Sequence, residues 1–394
     1  MLSVRPLLLL SMLAVAQAAI PHTACDSRRT PPSPSPSPGT DPWANVPVTE
    51  TMTTGDGARL GVQVLLTNLQ IPWSLAFAPD GRLFFTERVG RVRVVQDGQL
   101  VAQPAFTFQD VRAIGEGGVL GITLHPNFAA NRFVYVAYTA TRGDGVPVNR
   151  VVRLREANNV LGEMMVLLDN IPAANNHNGS RLRFGPDGKL YVTTGDAGNS
   201  NLSQTLSSLA GKILRINEDG TTPADNPFGS PVWTWGHRHP QGIDWNPVTG
   251  HLWATEHGGT HRDELNLIVK GSNYGWPIIQ GDETRPDMVT PVLFYIPAIA
   301  PSGLSFYTST RMPQLGGNIF FTALAGMHIH RVVLNAADPE RPDAEERLFE
   351  GRFGRIRDVI TGPDGALYFC TSNRDGRTTP VAADDRIARI VPIQ

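Results

Sequence analysis

Five stretches of the sequence set titratable side chains among glycines and turn formers. NNHNG centres His177 between asparagines, with Gly179 behind it. WGHRHPQG carries Arg238 and His239, GRIRD carries Arg355 and Arg357, and GEGGVLG carries Glu116. The fifth stretch, TEHGGTHRDELNL, spans residues 255–267 and holds Glu256, His257, Gly258, Gly259, Asp263 and Glu264. An imidazole changes protonation near neutral pH and suits general-base work. Forked guanidinium groups pair bidentately with carboxylates, so the ligand they imply is anionic and planar or multi-carboxylate. Carboxylates beside glycine carbonyls suit a hard cation such as Ca²⁺, which takes about six to eight oxygens. Singly, each of these reads as an ordinary polar loop residue, and the acidic loop lacks EF-hand spacing. Their chemistry becomes specific only if the fold brings them together.

The elements that must do so are short. Beyond residue 46, runs of Val, Ile, Leu, Phe and Tyr are punctuated by Gly, Pro, Asn and Asp, with no long helical period. One pattern, an apolar strand followed by a turn and a second strand, returns six times. Its anchors are Phe77, Leu124, Phe184, Trp245, Phe306 and Thr361, roughly 50 to 60 residues apart, the period of a radial repeat. Three of the turns are Pro-Asp-Gly, a common hairpin sequence that would mean little without the spacing. The pattern predicts an all-β chain folded as a six-bladed β-propeller, a form that leaves only short, protected strand edges. In a propeller the first strand of each blade lines the central channel. His177, Arg238, Arg355, Arg357 and Glu116 all lie a few residues before their anchors, so they should meet at one mouth of the channel. Such convergence in a concave site favours function over surface polarity.

The chain has 394 residues with 34 basic and 36 acidic side chains. That balance argues against nucleic acid or an anionic membrane surface as the main partner. Residues 1–18 read as a signal peptide: Arg5, an apolar run and a small-x-small site at Ala16-Gln17-Ala18. Residues 19–45 are a Pro/Ser-rich linker or tether, and 46–394 the propeller. The run is too short to span a bilayer and no later stretch does, so no transmembrane domain is expected. The chain is expected to be exported, periplasmic or secreted. Cys25 is a candidate lipid anchor, although His22-Thr23-Ala24 lacks the large aliphatic residue expected three positions before it. The other cysteine, Cys370, lies in an apolar strand pattern and reads as a core residue, not half of a disulfide.

Across residues 60–392 the sequence resembles the glucose/sorbosone dehydrogenase family. The resemblance rests on IPWSLAFAPDGRLFFTERVGRV, GEGGVLGITLHPNF, HNGSRLRFGPDGKLYVTTGD, LAGKILRINEDG, WGHRHPQGIDWNP, DELNLIVKGSNYGWP and GRIRDVITGPDG. It implies pyrroloquinoline quinone (PQQ) and Ca²⁺ at the channel mouth and oxidation of an aldose sugar, or a related alcohol, to a lactone. Electrons would pass on to an acceptor the sequence does not identify. By the same resemblance His177 is the base, Arg238 stabilises charge on the cofactor, and Arg355 and Arg357 contact it. Gly258 and Gly259 would hold the quinone's Ca²⁺, Glu264 and the Tyr274 backbone a second Ca²⁺, and Asp263 would be the acid near His177. Three positions depart from the family pattern. Glu116 stands for a glutamine against the cofactor, His239 for an asparagine, and Ala325 for a cofactor-binding lysine. Two other readings remain: a cofactor-free propeller that binds carbohydrate or protein, and a Ca²⁺-dependent lactone hydrolase.

Overall fold

The computed structural model describes residues 41–394, residue 260 excepted. The predicted signal peptide, Cys25 and most of the predicted linker lie outside the described residues. Asp41 and Trp43, at the linker's end, pack onto the fold: Asp41 pairs with Arg389 at 2.8 Å, and Trp43 is buried against Tyr368. Among the described residues no helix is long and apolar enough to cross a membrane.

The local signal behind the repeat is visible in its turns. At each Pro-Asp-Gly the aspartate accepts a hydrogen bond from the amide two residues on: Asp80 from Arg82, Asp187 from Lys189, Asp364 from Ala366. The glycine that follows has φ of +88°, +71° or +78°, a backbone region in which a side chain is strained. Its N–H closes the turn on Ala78, Gly185 or Gly362. Each turn reverses an inner strand into a second strand, and the six anchors occupy equivalent registers. Phe77 faces Leu83, Leu124 faces Val134, Phe184 faces Leu190, Trp245 faces Leu252, Phe306 faces Ile319, and Thr361 faces Leu367.

Six antiparallel sheets result. Their inner strands are Pro72–Phe77, Val119–Leu124, Leu182–Phe184, Pro240–Trp245, Pro301–Phe306 and Ile356–Thr361, numbered here as blades one to six. This is the all-β, six-bladed propeller expected from the repeat. Second strands such as Leu83–Glu87 and Leu367–Thr371 are buried throughout. Neighbouring blades cover both faces of each, so that even the polar residues at their ends, Glu87 and Thr371, are buried. Blade six draws on both ends of the chain: Arg59–Leu66 pairs with Ile387–Pro392, with Val62 opposite Ile390, and Val48–Thr53 adds the outer edge. That closure ties the ring together. No turn signal in the sequence announces it, because the pairing spans almost the whole chain.

The inner strands pack so closely that glycine is required where they meet. A Cβ on Gly121 would lie 2.1 Å from the Ser180 carbonyl oxygen, and one on Gly242 2.4 Å from that of Ser302. On the channel axis the guanidinium of Arg181 stacks on Trp73, 4.3 Å from the ring centre, and pairs with Asp358 at 2.9 Å. Both partners are buried. This pair closes off a cavity of about 470 Å³ at one end of the channel, which Arg181 and Asp358 help to line. None of the sequence-predicted site residues lines that end. Glu116, His239, Arg355 and Arg357 line the other.

Candidate active site

At the second end, a cavity of about 120 Å³ is lined by Glu116, His239, Ala325, Arg355 and Arg357 among others. Glu116, His239, Arg355 and Arg357 come from blade entries far apart in sequence, as the repeat predicts, and Ala325 follows the second strand of blade five. His177 stands beside them, its ring 5.2 Å from that of His239. Its backbone has φ +54°, a costly setting for a non-glycine residue and one concentrated at functional sites. Two neighbours impose it. The His177 N–H donates to Glu116 Oε2 at 2.9 Å. Its carbonyl lies against Gly195, where a Cβ would come within 2.0 Å of the oxygen.

The His177 ring is oriented by Asp196. Nδ1 lies 2.7 Å from Asp196 Oδ1, so that nitrogen carries the proton and Nε2 is the free acceptor. Asp196 is itself held by the Gly198 N–H at 2.8 Å and the Trp276 indole at 2.9 Å. Burial works against its charge, yet the His177 ring and these donors hold its pKa below the usual carboxylate range. Asp263, assigned by resemblance as the acid near His177, is engaged with backbone amides. Its carboxylate accepts the N–H groups of Gly258, Ile299 and Ala300 at 3.0, 2.7 and 2.6 Å and so pins the 257–262 loop. Asp196 carries no mark of its own in the sequence, where it closes the strand-exit TTGD of blade three.

Cations dominate the mouth. Arg88, Arg355, Arg357 and Arg377 line the cavity against two carboxylates, Glu116 and Asp375. Arg355 Nε donates to Asp375 at 2.9 Å. Arg357 is buried beside Trp73, and burial brings its pKa down to about 10, so it stays charged at neutral pH. Arg238 lies over the Trp276 ring at 5.2 Å and donates to the His257 carbonyl. Burial pushes His239 and His257 well below the usual imidazole range, so both are neutral. Buried polar atoms without protein partners cluster here: Nε of Arg238 and Arg357, Nδ1 of His239 and Nε2 of His257. Such atoms are costly unless a ligand or water meets them. Of these residues, Arg88, Trp73, Asp375 and Arg377 are not among those singled out in the sequence. Arg88, Asp375 and Arg377 follow second strands, a position the repeat alone marks, whereas Trp73 lies inside the inner strand of blade one.

The predicted cation residues fall apart into two places. Gly258 and Gly259 follow His257, but the Gly259 carbonyl already accepts the Arg262 N–H. Glu264 lies opposite Glu256 in adjacent strands. It is buried, and burial together with Glu256 raises its pKa to about 8. Asn266, whose Nδ2 donates to Glu264, leaves its buried Oδ1 unpartnered. The Tyr274 ring stacks on His237, which in turn bonds Glu256 at 2.8 Å. Among the described residues no group of three or more His, Cys, Asp or Glu side chains forms a ready metal cage.

At the channel mouth of this propeller a carboxylate-oriented histidine stands beside an arginine cluster. The family model for glucose/sorbosone dehydrogenases matches residues 69–380, and the chain belongs to that family. It is 38% identical to the uncharacterised protein slr1608 of Synechocystis, over 79% of this chain and 84% of that one. It is 33% identical to the aldose sugar dehydrogenase YliI of Escherichia coli, over 82% of this chain and 93% of the relative. The PQQ-bound aldose sugar dehydrogenase of Streptomyces coelicolor superposes with a TM-score of 0.76 at 35% identity, covering 85% of this chain and 98% of that structure.

Proposed function

We propose that the protein is a PQQ-dependent dehydrogenase that oxidises an aldose sugar at a C–OH group, with His177 as general base. The observation that carries this reading is the Asp196–His177 pair beside the cavity, which leaves Nε2 as the only basic ring nitrogen of that residue. The cavity fits PQQ, a planar tricarboxylate, on two counts. It holds an excess of guanidinium groups over carboxylates, and its buried donors lack protein partners. Arg88, Arg355, Arg357 and Arg377 would bind the carboxylates, with Arg238 and the neutral imidazoles of His239 and His257 beside them. Bound there, PQQ supplies the two-electron acceptor that sugar oxidation requires. His177 Nε2 takes the hydroxyl proton of the sugar, and the Asp196 carboxylate stabilises the imidazolium that forms. Arg238, fixed over Trp276, offsets negative charge that builds at the mouth during the reaction.

Reconstitution tests the reading directly. Purified protein with PQQ and Ca²⁺ should reduce a dye in the presence of aldoses, and PQQ should be retained on gel filtration. No PQQ retention and no sugar-dependent dye reduction would sink it. Binding of carbohydrate without turnover would favour a cofactor-free binding module, and lactone cleavage by the metal-loaded, quinone-free protein a hydrolase. An arginine cluster beside imidazoles that each leave one ring nitrogen unpartnered favours an anionic cofactor over either rival.

Ca²⁺ belongs to the same proposal at Glu264. That carboxylate, Glu256 and the unpartnered Asn266 oxygen offer hard oxygen donors in a buried setting. A ligand that binds only the folded state at 100 times its Kd stabilises by about 2.7 kcal/mol. Ca²⁺ should therefore raise Tm in the wild type, and Glu264→Gln should abolish the rise. Without metal, Glu264→Gln should leave Tm near the wild-type value, because burial and Glu256 already keep the Glu264 carboxyl largely protonated at neutral pH. A metal-dependent rise that survives the substitution would place Ca²⁺ elsewhere.

A further inference from the structure

Glu116 presents a difficulty for an anionic ligand, since it adds a carboxylate to a cavity otherwise built from cations. Its two oxygens are both engaged, and on different partners. Oε2 accepts the His177 backbone N–H at 2.9 Å, and Oε1 accepts Arg377 Nη2 at 2.7 Å. Arg377 comes from the loop after the second strand of blade six. Its backbone is fixed there: Asp375 Oδ1 accepts the Arg377 N–H at 3.0 Å while Oδ2 holds Arg355. Its side chain is not fixed in the same way. It is 56% exposed, whereas the Arg355 and Arg357 side chains are 9% and 8% exposed. An ion pair so open to water is weak and exchanges partners at little cost. Arg377 thus lines the cavity with a head group free to turn while its backbone stays in place.

The cavity wall offers a reason for such a residue. Ala325 lines it with a methyl group, so no cation projects from that position. Resting on the PQQ reading above, we propose that Arg377 is a bridging cation: one side of its guanidinium stays on Glu116 while the other takes a carboxylate of the cofactor. A planar guanidinium has donors on two edges and can join two anions in this way. The arrangement converts Glu116 from a repulsive group into an anchor. It also links cofactor binding to the catalytic base, since the same carboxylate holds the His177 backbone. Arg377 is then a cofactor-binding residue, and Glu116 a positioning residue that acts through Arg377 and His177.

The test is a double-mutant cycle read by PQQ affinity, with PQQ titrated into the Ca²⁺-loaded protein and tryptophan fluorescence followed. Arg377→Ala should weaken binding by about tenfold or more, because Glu116 is left facing the incoming carboxylate. Glu116→Gln in the Arg377→Ala background should restore most of that loss. Glu116→Gln alone should bind at least as tightly as the wild type, and Arg377→Lys should fall between wild type and alanine. The dependence of Kd on salt should be shallower without Arg377. Because Arg377 is exposed, the alanine variant should keep the wild-type Tm. An unchanged Kd in Arg377→Ala overturns the inference, and so does a loss that Glu116→Gln fails to rescue. A wild type that binds no PQQ overturns both the inference and the functional reading beneath it, whereas a wild type that binds normally separates the two.

Discussion

Asp196→Asn is expected to lower sugar oxidation by about 100- to 10,000-fold while leaving PQQ affinity near that of the wild type. The range is that of general-base catalysis, and the residue acts through the histidine tautomer. With aspartate, His177 Nδ1 must donate, and Nε2 is left to accept a proton. An asparagine can present its NH₂ instead, which would make Nδ1 the acceptor and place the proton on Nε2, where it blocks the base. His177→Ala should show a loss of similar size, and combining the two should cost little more than either, because they act as one unit. If Asp263→Asn, and not Asp196→Asn, abolished turnover without loss of stability, the assignment would be wrong. The same pair carries a pH signature. The Asp196 pKa is depressed in the fold, so its contribution to stability is complete above about pH 4 and is lost as pH falls through the folded value. Urea titrations of Asp196→Asn should accordingly show a flatter acid limb than those of the wild type.

The largest expected effect on stability lies at the channel axis. Asp358→Ala should destabilise the protein by about 3–5 kcal/mol, the cost of stranding a buried charge. Arg181 has no exposure to relieve it: its guanidinium is stacked on Trp73, and Asp358 is its acidic partner. Burial already pulls the Arg181 pKa below the usual guanidinium value. Asp358 also accepts the Leu75 N–H from blade one at 2.9 Å, so the substitution removes a contact across the junction between the first and last blades. Urea unfolding monitored by tryptophan fluorescence would measure the loss, and a change under about 1 kcal/mol would mean that water replaces the carboxylate. Arg181→Met combined with Asp358→Leu should recover most of the stability, since a buried pair is often replaceable by apolar groups of similar volume although neither member can be removed alone.

Much of this architecture was legible in local chemistry. An aspartate that accepts the amide two residues on, followed by a glycine at positive φ, marks a turn wherever it occurs. Six apolar anchors at regular spacing make a radial repeat. The anchors Phe77 to Thr361 all end inner strands in matching register. Because the frame was right, the convergence of His177, Arg238, Glu116, Arg355 and Arg357 on one mouth followed from counting residues back from each anchor.

Pairings between blades were beyond that reasoning. Which carboxylate meets His177 depends on the path of two exit loops, which the family resemblance that names Asp263 does not give. That Arg59–Leu66 completes the last blade depends on a contact between opposite ends of the chain, for which a local pattern holds no information. Glu116 is the sharpest case. As a residue type in a glycine-rich stretch it argued against an anionic ligand, and nothing within that stretch could say otherwise. Its meaning changed once the ring closed and brought Arg377, 261 positions away, to within 2.7 Å of its carboxylate. The sequence by itself determined the strands, the turns, the repeat and the mouth at which the charged residues gather, because these rest on short-range sterics and period. The tertiary structure alone decided which charge neutralises which, because an ion pair depends on distance in space and the chain reaches that distance only when all six blades are in place.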